Sequence, residues 1–130
     1  MATKALVLGG SFAGLTAAIH LKDDLGDDVD VTVVSDRENF QFNPSFIWIP
    51  FGEREPDDIS FPVSPTLEKS EVHFVHGAAT RIDTEGKRVE TTKGEFDYDY
   101  CVVATGYRNQ WDVIPGIEGN TCGRQGRARR

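Results

Sequence analysis

The sequence is short of cysteine, of long apolar runs and of basic residues outside its last ten positions, and each shortage excludes something. Two cysteines, Cys101 and Cys122, in 130 residues make no disulfide framework, so a reducing, cytoplasmic setting is expected. No apolar stretch approaches the roughly 20 residues that span a bilayer. The longest N-terminal one, Ala5-Leu6-Val7-Leu8, ends in glycines and is too short for a signal-peptide core. Arg124, Arg127, Arg129 and Arg130 fall in the last ten positions, so residues 1–120 carry ten basic and twenty-one acidic groups, a net −11 against −7 for the whole chain. Such a body repels phosphate backbones, which argues against nucleic acid as a partner. Low-complexity tracts and internal repeats are missing as well.

What is present fits one globular domain, with 38% apolar and 27% charged residues. Residues 120–130 lack apolar periodicity and read as a basic, disordered tail. That leaves 1–119 as the folded unit. Lys4–Leu8 is a short apolar run that predicts a buried strand. From Phe12 the period changes: Phe12, Leu15, Ala18, Ile19 and Leu25 recur at helical spacing, and Gly26 marks the stop. Val29–Val34 predicts a second strand, parallel to the first in one βαβ unit.

Asn39 to Pro65 holds five of the six prolines and the aromatics Phe40, Phe42, Phe46, Trp48 and Phe51. It has no consistent period and reads as a long ordered loop with a helical turn at most, packed through its rings. Val72–Val75 predicts a third strand. Ala78–Asp83, Arg88–Thr92 and Phe96–Tyr98, broken by Glu85-Gly86-Lys87 and Lys93-Gly94, predict an antiparallel meander. Tyr100–Ala104 predicts the last core strand. The expected class is α/β: a Rossmann-like domain with a parallel sheet and an antiparallel β-meander crossover.

The chemistry sits in Gly9-Gly10-Ser11-Phe12-Ala13-Gly14, between the first strand and the first helix. A dinucleotide fingerprint belongs there. Gly9 allows the tight turn, Gly14 lets the helix pack against the strands, and free N–H groups at the helix start attract a pyrophosphate. Ser11 replaces the middle glycine with a small side chain that carries a hydroxyl donor. The usual acidic partner of the ribose, at the end of the second strand, is Ser35 here, with Asp36 next; either a ribose contact or a solvated loop charge accounts for Asp36. His73 and His76 point to opposite faces of a strand, His20 reads as a surface residue, and the Asp23–Asp30 cluster lacks calcium-loop spacing. No metal site is expected. Cys101 reads as a buried, inert thiol.

These residues reach a recognisable family. The chain, over about residues 3–119, resembles the N-terminal part of the sulfide:quinone oxidoreductases, within the two-dinucleotide-binding-domain pyridine nucleotide-disulfide oxidoreductase flavoproteins. The resemblance rests on Gly9–Gly14, on Val33-Val34-Ser35 followed by Phe40-Gln41-Phe42-Asn43-Pro44-Ser45, and on Trp48. It also rests on Gly52-Glu53-Arg54-Glu55 with Asp58-Ile59, and on Tyr98-Asp99-Tyr100 leading to Ala104-Thr105-Gly106 and Pro115-Gly116. It implies FAD in an extended pose. Gly9, Ser11, Phe12 and Ala13 would line the pyrophosphate, and Ser35 would face the adenosine ribose; Gly10, Gly14 and Asp36 beside them complete the cofactor-binding candidates. Backbone groups of Ala78 and Ala79 would read the adenine. Asn43 and Pro44 would approach the isoalloxazine, and Ala104, Thr105 and Gly106 would close over the cofactor.

The activity implied is electron transfer from sulfide through FAD to quinone. A type II NADH:quinone oxidoreductase or a flavocytochrome c sulfide dehydrogenase relative is the enzyme alternative, and a truncated nucleotide-binding module without turnover is the alternative of another class. Redox cysteines of such enzymes make Cys122 a weak catalytic candidate, since its context departs from the family pattern. Membrane contact, and the second dinucleotide-binding domain, would come from regions C-terminal to these residues, and the oligomeric state stays open.

Overall fold

The computed structural model describes residues 1–107 together with 110, 113 and 115. Its centre is a four-stranded parallel sheet built from Thr3–Leu8 (β1), Val29–Ser35 (β2), His73–His76 (β5) and Tyr100–Val103 (β9), in the order β5-β2-β1-β9. Strands of such a sheet are covered on both faces, which is why β1 and β2 are apolar at successive positions instead of alternating with polar ones. Ala5 and Val7 of β1 pack to one side with Val31 and Val33 of β2. Leu6 and Leu8 pack to the other with Val34. Each such Val or Leu taken out of water contributes about 1.5–3 kcal/mol before chain entropy is subtracted.

The helix Phe12–Leu25 (α1) covers the first face through Leu15 and Ala18. It ends at Gly26, whose N–H donates to the Lys22 carbonyl. Lys22 lies in its last turn, where the helix dipole favours a cation. Phe12 and Leu25, counted on the apolar stripe by spacing, are exposed instead. They sit at the two ends of the helix, where its stripe runs past the sheet. Phe12 packs its ring edge-on to Phe40, with centroids 4.8 Å apart.

The proline-rich stretch, expected as an ordered loop, holds more regular structure than its lack of period predicts. Asn39–Gln41 (β3) pairs antiparallel with Ser60–Pro62 (β4), and 3-10 turns occupy Asn43–Trp48 and Pro56–Ile59 between them. A six-residue helix, Ser64–Lys69 (α2), follows, with Pro65 in its first turn and Leu67 fully buried. One and a half turns are too short to show a helical period, so this helix was invisible in the sequence. The second face of the parallel sheet is covered by the meander Ala79–Asp83 (β6), Arg88–Thr91 (β7) and Gly94–Asp97 (β8). Its third strand begins two residues earlier than expected, at the Lys93-Gly94 turn. Val89 of β7 reaches the Leu6–Leu8–Val34 cluster. No helix among the described residues is long and apolar enough to cross a membrane.

Candidate functional site at the carboxyl ends of the parallel strands

The turn from β1 into α1 is shaped by contacts that leave no room for side chains. Gly9 has φ of 115°, and a Cβ there would stand 2.2 Å from the Ala104 carbonyl oxygen. A Cβ on Gly14 would meet the Gly9 carbonyl oxygen at 1.9 Å. Both glycines therefore set how closely helix, turn and strand approach one another. The Gly9 N–H donates to the Val34 carbonyl at 2.8 Å, and the Ala104 N–H donates to the Leu8 carbonyl at the same distance. These bonds tie the turn to the ends of β2 and β9.

The helix that leaves this turn is open at its start. Its N-cap, Ser11, makes no side-chain capping bond, and no acidic residue occupies the first turn. The first helical bond runs from the Leu15 N–H to the Ser11 carbonyl at 2.9 Å. The amides of Phe12, Ala13 and Gly14 precede it and have no intrahelical acceptor. Uncapped first-turn amides together with the positive end of the dipole form a site for an anion.

Other segments singled out in the sequence converge here. Ser35 ends β2, is buried to 5% exposure, and its Oγ accepts the Arg37 N–H at 3.2 Å. A Cβ on Gly10 would come within 2.9 Å of that oxygen, so Ser35 lies directly against the glycine turn. Asp36 is exposed. The Gly77 N–H donates to the Ser35 carbonyl at 2.8 Å, which brings Ala78 and Ala79 to the same edge. Both backbone groups of Ala78 are engaged by Thr92: its N–H donates to Oγ1, and its carbonyl accepts the Thr92 N–H, each at 3.0 Å. Phe42 packs against Phe12 with centroids 5.8 Å apart, placing the adjoining Asn43 and Pro44 near the start of α1. Thr105 and Gly106 are exposed just beyond β9, and Gly106 has φ of 75°.

Two expectations lie apart from this convergence. Cys101 packs among partly buried side chains against the Leu6–Leu8 cluster, and burial pushes its thiol pKa up, which keeps it protonated and unreactive. Cys122 and the tail from 120 to 130 lie outside the described residues. Among the described residues no cluster of His, Cys, Asp and Glu is arranged to hold a metal ion.

The residues missed by sequence reasoning are Arg37, Glu38, Asn39, Gln41 and His76, which line a cavity of about 470 Å³ next to Ser35. His76 enters because the register of β2 and β5 sets it opposite Ser35. That pairing has no local signal. The nearest hint was that His76 ends its strand as Ser35 ends its own.

A parallel sheet, a glycine turn at its carboxyl edge and an open helix start beside it define a Rossmann-type dinucleotide-binding domain. The chain belongs to the pyridine nucleotide-disulphide oxidoreductase family, whose profile matches residues 3–128. This is a family of FAD-binding oxidoreductases. The chain is 38% identical over 120 residues to the sulfide-quinone reductase of Aquifex aeolicus, covering 92% of itself and 27% of that protein. It is 33% identical over 116 residues to a type II NADH:quinone oxidoreductase of Staphylococcus epidermidis, covering 88% of itself and 29% of the relative. Among solved structures, the sulfide:quinone oxidoreductase of A. aeolicus superposes with a TM-score of 0.82 at 35% identity, over 90% of this chain and 27% of the other. A NAD-dependent persulfide reductase from A. fulgidus gives 0.76 at 27% identity, over 89% and 23%. The chain thus spans less than a third of the length of each of these relatives.

Proposed function

We propose that this domain holds FAD and that the whole protein is an FAD-dependent oxidoreductase of the sulfide:quinone type. The observation that carries the reading is the open, uncapped start of α1, set by Gly9 and Gly14 at the carboxyl edge of the parallel sheet. The fit is to an anionic group, and a diphosphate is the one this reading places there. Three amides face an anion site that no carboxylate of the first turn competes for. A bulkier residue at position 9 or 14 would close the turn.

In this reading Gly9, Gly10, Ser11, Phe12, Ala13 and Gly14 hold the pyrophosphate, and Ser35 with Asp36 meets the adenosine ribose. Ala78 and Ala79 meet the adenine; because Thr92 already engages the Ala78 amide, that residue has only a carbonyl lone pair left to offer. Asn43 and Pro44 flank the isoalloxazine, while Ala104, Thr105 and Gly106 cover the cofactor. When bound, FAD supplies the electron-transfer chemistry through its isoalloxazine. The chain's own residues bind it, orient it and exclude water from it. Quinones dissolve in membranes, so an enzyme of this type works at a membrane surface.

The test is a titration of the chain with FAD, followed by reductant. Saturable quenching of flavin fluorescence is expected, and a titration that leaves fluorescence unchanged overturns the reading. In the whole protein, bleaching of the flavin by sulfide supports the proposed donor. Bleaching by NADH alone assigns it instead to the type II NADH:quinone class, to which it is 33% similar by identity over the matched stretch.

A further inference from the structure

The segment that leaves β5 and the turn between β7 and β8 exchange hydrogen bonds unequally. The Ala78 carbonyl accepts the Thr92 N–H at 3.0 Å, an ordinary backbone bond. The Ala78 N–H goes to a side chain instead, donating to Thr92 Oγ1, also at 3.0 Å. A hydroxyl oxygen that accepts one bond keeps its own proton, which rotates to suit an acceptor. No hydrogen bond among the described residues uses that proton, and Thr92 is exposed.

The hydroxyl is held close to the backbone that it serves. Gly77 is buried, and a Cβ on it would stand 3.2 Å from Thr92 Oγ1 and 2.9 Å from Lys93 Cγ. The turn therefore lies directly on Gly77 and Ala78. The Gly77 N–H, donating to the Ser35 carbonyl at 2.8 Å, ties that segment in turn to the end of β2.

An adenine ring presents an acceptor, N1, beside a donor, its 6-amino group, on the edge that proteins read when the base is unpaired. A matching protein edge needs a donor beside an acceptor. One residue's backbone N–H and C=O supply both where the amide is free. At Ala78 the amide is taken by Thr92, and the carbonyl keeps one lone pair. The donor has moved one bond outward, to the Thr92 hydroxyl.

We infer that Thr92 is a specificity-determining residue of the adenine subsite: its hydroxyl donates to adenine N1 while the Ala78 carbonyl accepts from the 6-amino group. The inference rests on the nucleotide reading above, which sets the adenine at Ala78 and Ala79. It adds a side chain from the meander to a contact otherwise made by backbone alone.

The test titrates the full chain, followed by flavin fluorescence, with FAD and with the FAD analogue in which C–H replaces adenine N1. The wild-type chain is expected to bind FAD tighter by about fivefold or more, since one hydrogen bond separates the two ligands. Thr92→Val sets a methyl where the hydroxyl stood, which removes the donor and keeps the Ala78 amide from taking its place. FAD should then weaken to the level of the analogue, while the analogue itself stays within about twofold of its wild-type affinity. Thr92→Ser keeps the hydroxyl and should keep the preference. Equal affinities in the wild-type chain overturn the inference without any variant, so the test survives a Thr92→Val chain that fails to fold. Equal weakening of both ligands by Thr92→Val, the mark of a merely structural role, overturns it as well. Binding of neither ligand by the wild-type chain overturns the nucleotide reading and this inference with it.

Discussion

The parallel sheet and the meander that covers it are held together in opposite ways. In β1 and β2 the side chains are apolar and dry: Val7 and Val33 are wholly buried, and their neighbours nearly so. In the meander all five residues of β6 are exposed, and Val89 of β7 is its one fully buried side chain. Its strands are linked on the outer surface by charge. Arg88 reaches across to Asp97 at 2.8 Å and to Glu95 at 3.0 Å, and Arg81 approaches Glu90 at 3.4 Å. Burial supplies the stability of the first region, whereas exposed pairs contribute little each and mainly favour one register. The site belongs to the first region, whose close packing holds the turn and the helix start in place.

That contrast can be broken at four points. Gly9→Ala is expected to have the largest effect. It places a methyl 2.2 Å from the Ala104 carbonyl oxygen at a φ of 115°, so the loss should reach about 3 kcal/mol or more, with nucleotide binding abolished. Thermal unfolding and FAD titration of the variant measure both, and a near-native melting temperature would show that the turn is softer than its contacts imply. Val33→Ala removes two methyls from the dry face and should cost about 1.5–3 kcal/mol in a urea titration, with binding kept in the folded fraction. A loss under 0.5 kcal/mol would contradict the burial account.

Glu71→Gly acts on a surface residue just past α2, where φ is 53°. Relief of a left-handed backbone should raise stability by about 0.5–1 kcal/mol, and a decrease would mean that the Glu71 side chain holds the turn instead. Arg88→Ala should have the smallest effect, a lowering of melting temperature that 1 M salt erases because screening then acts within a few ångströms. The Arg88 guanidinium, by hydrogen bonding and by its charge, holds the Asp97 carboxyl below its ordinary value of 3.8. A lowered folded value means that the pair stabilises above pH 3.8 and loses its contribution as pH falls through the folded value. Arg88→Ala should therefore flatten the acid limb of the stability profile and leave it unchanged near neutrality apart from a constant offset.

Legibility followed the same division. The apolar runs of β1 and β2, the change of period at Phe12 and the stop at Gly26 were all readable, because each rests on local spacing. The glycine turn was readable for the same reason. The regular elements inside Asn39–Pro65, read as an ordered loop, were not, since β3 and β4 find each other only across an eighteen-residue gap and α2 is shorter than the period that would reveal it. Nor was the cavity at Arg37 and His76, which exists only because one strand register sets position 76 opposite position 35.

By itself, then, the amino-acid order determined which segments are strand or helix and where an anion-binding turn must lie, since these depend on residues within a few positions of one another. Only the tertiary structure decided that the ends of β2 and β9 meet that turn, and that position 76 lies opposite position 35 beside it. Those outcomes depend on strand order, register and close packing between residues up to a hundred positions apart, and no local pattern encodes such distances.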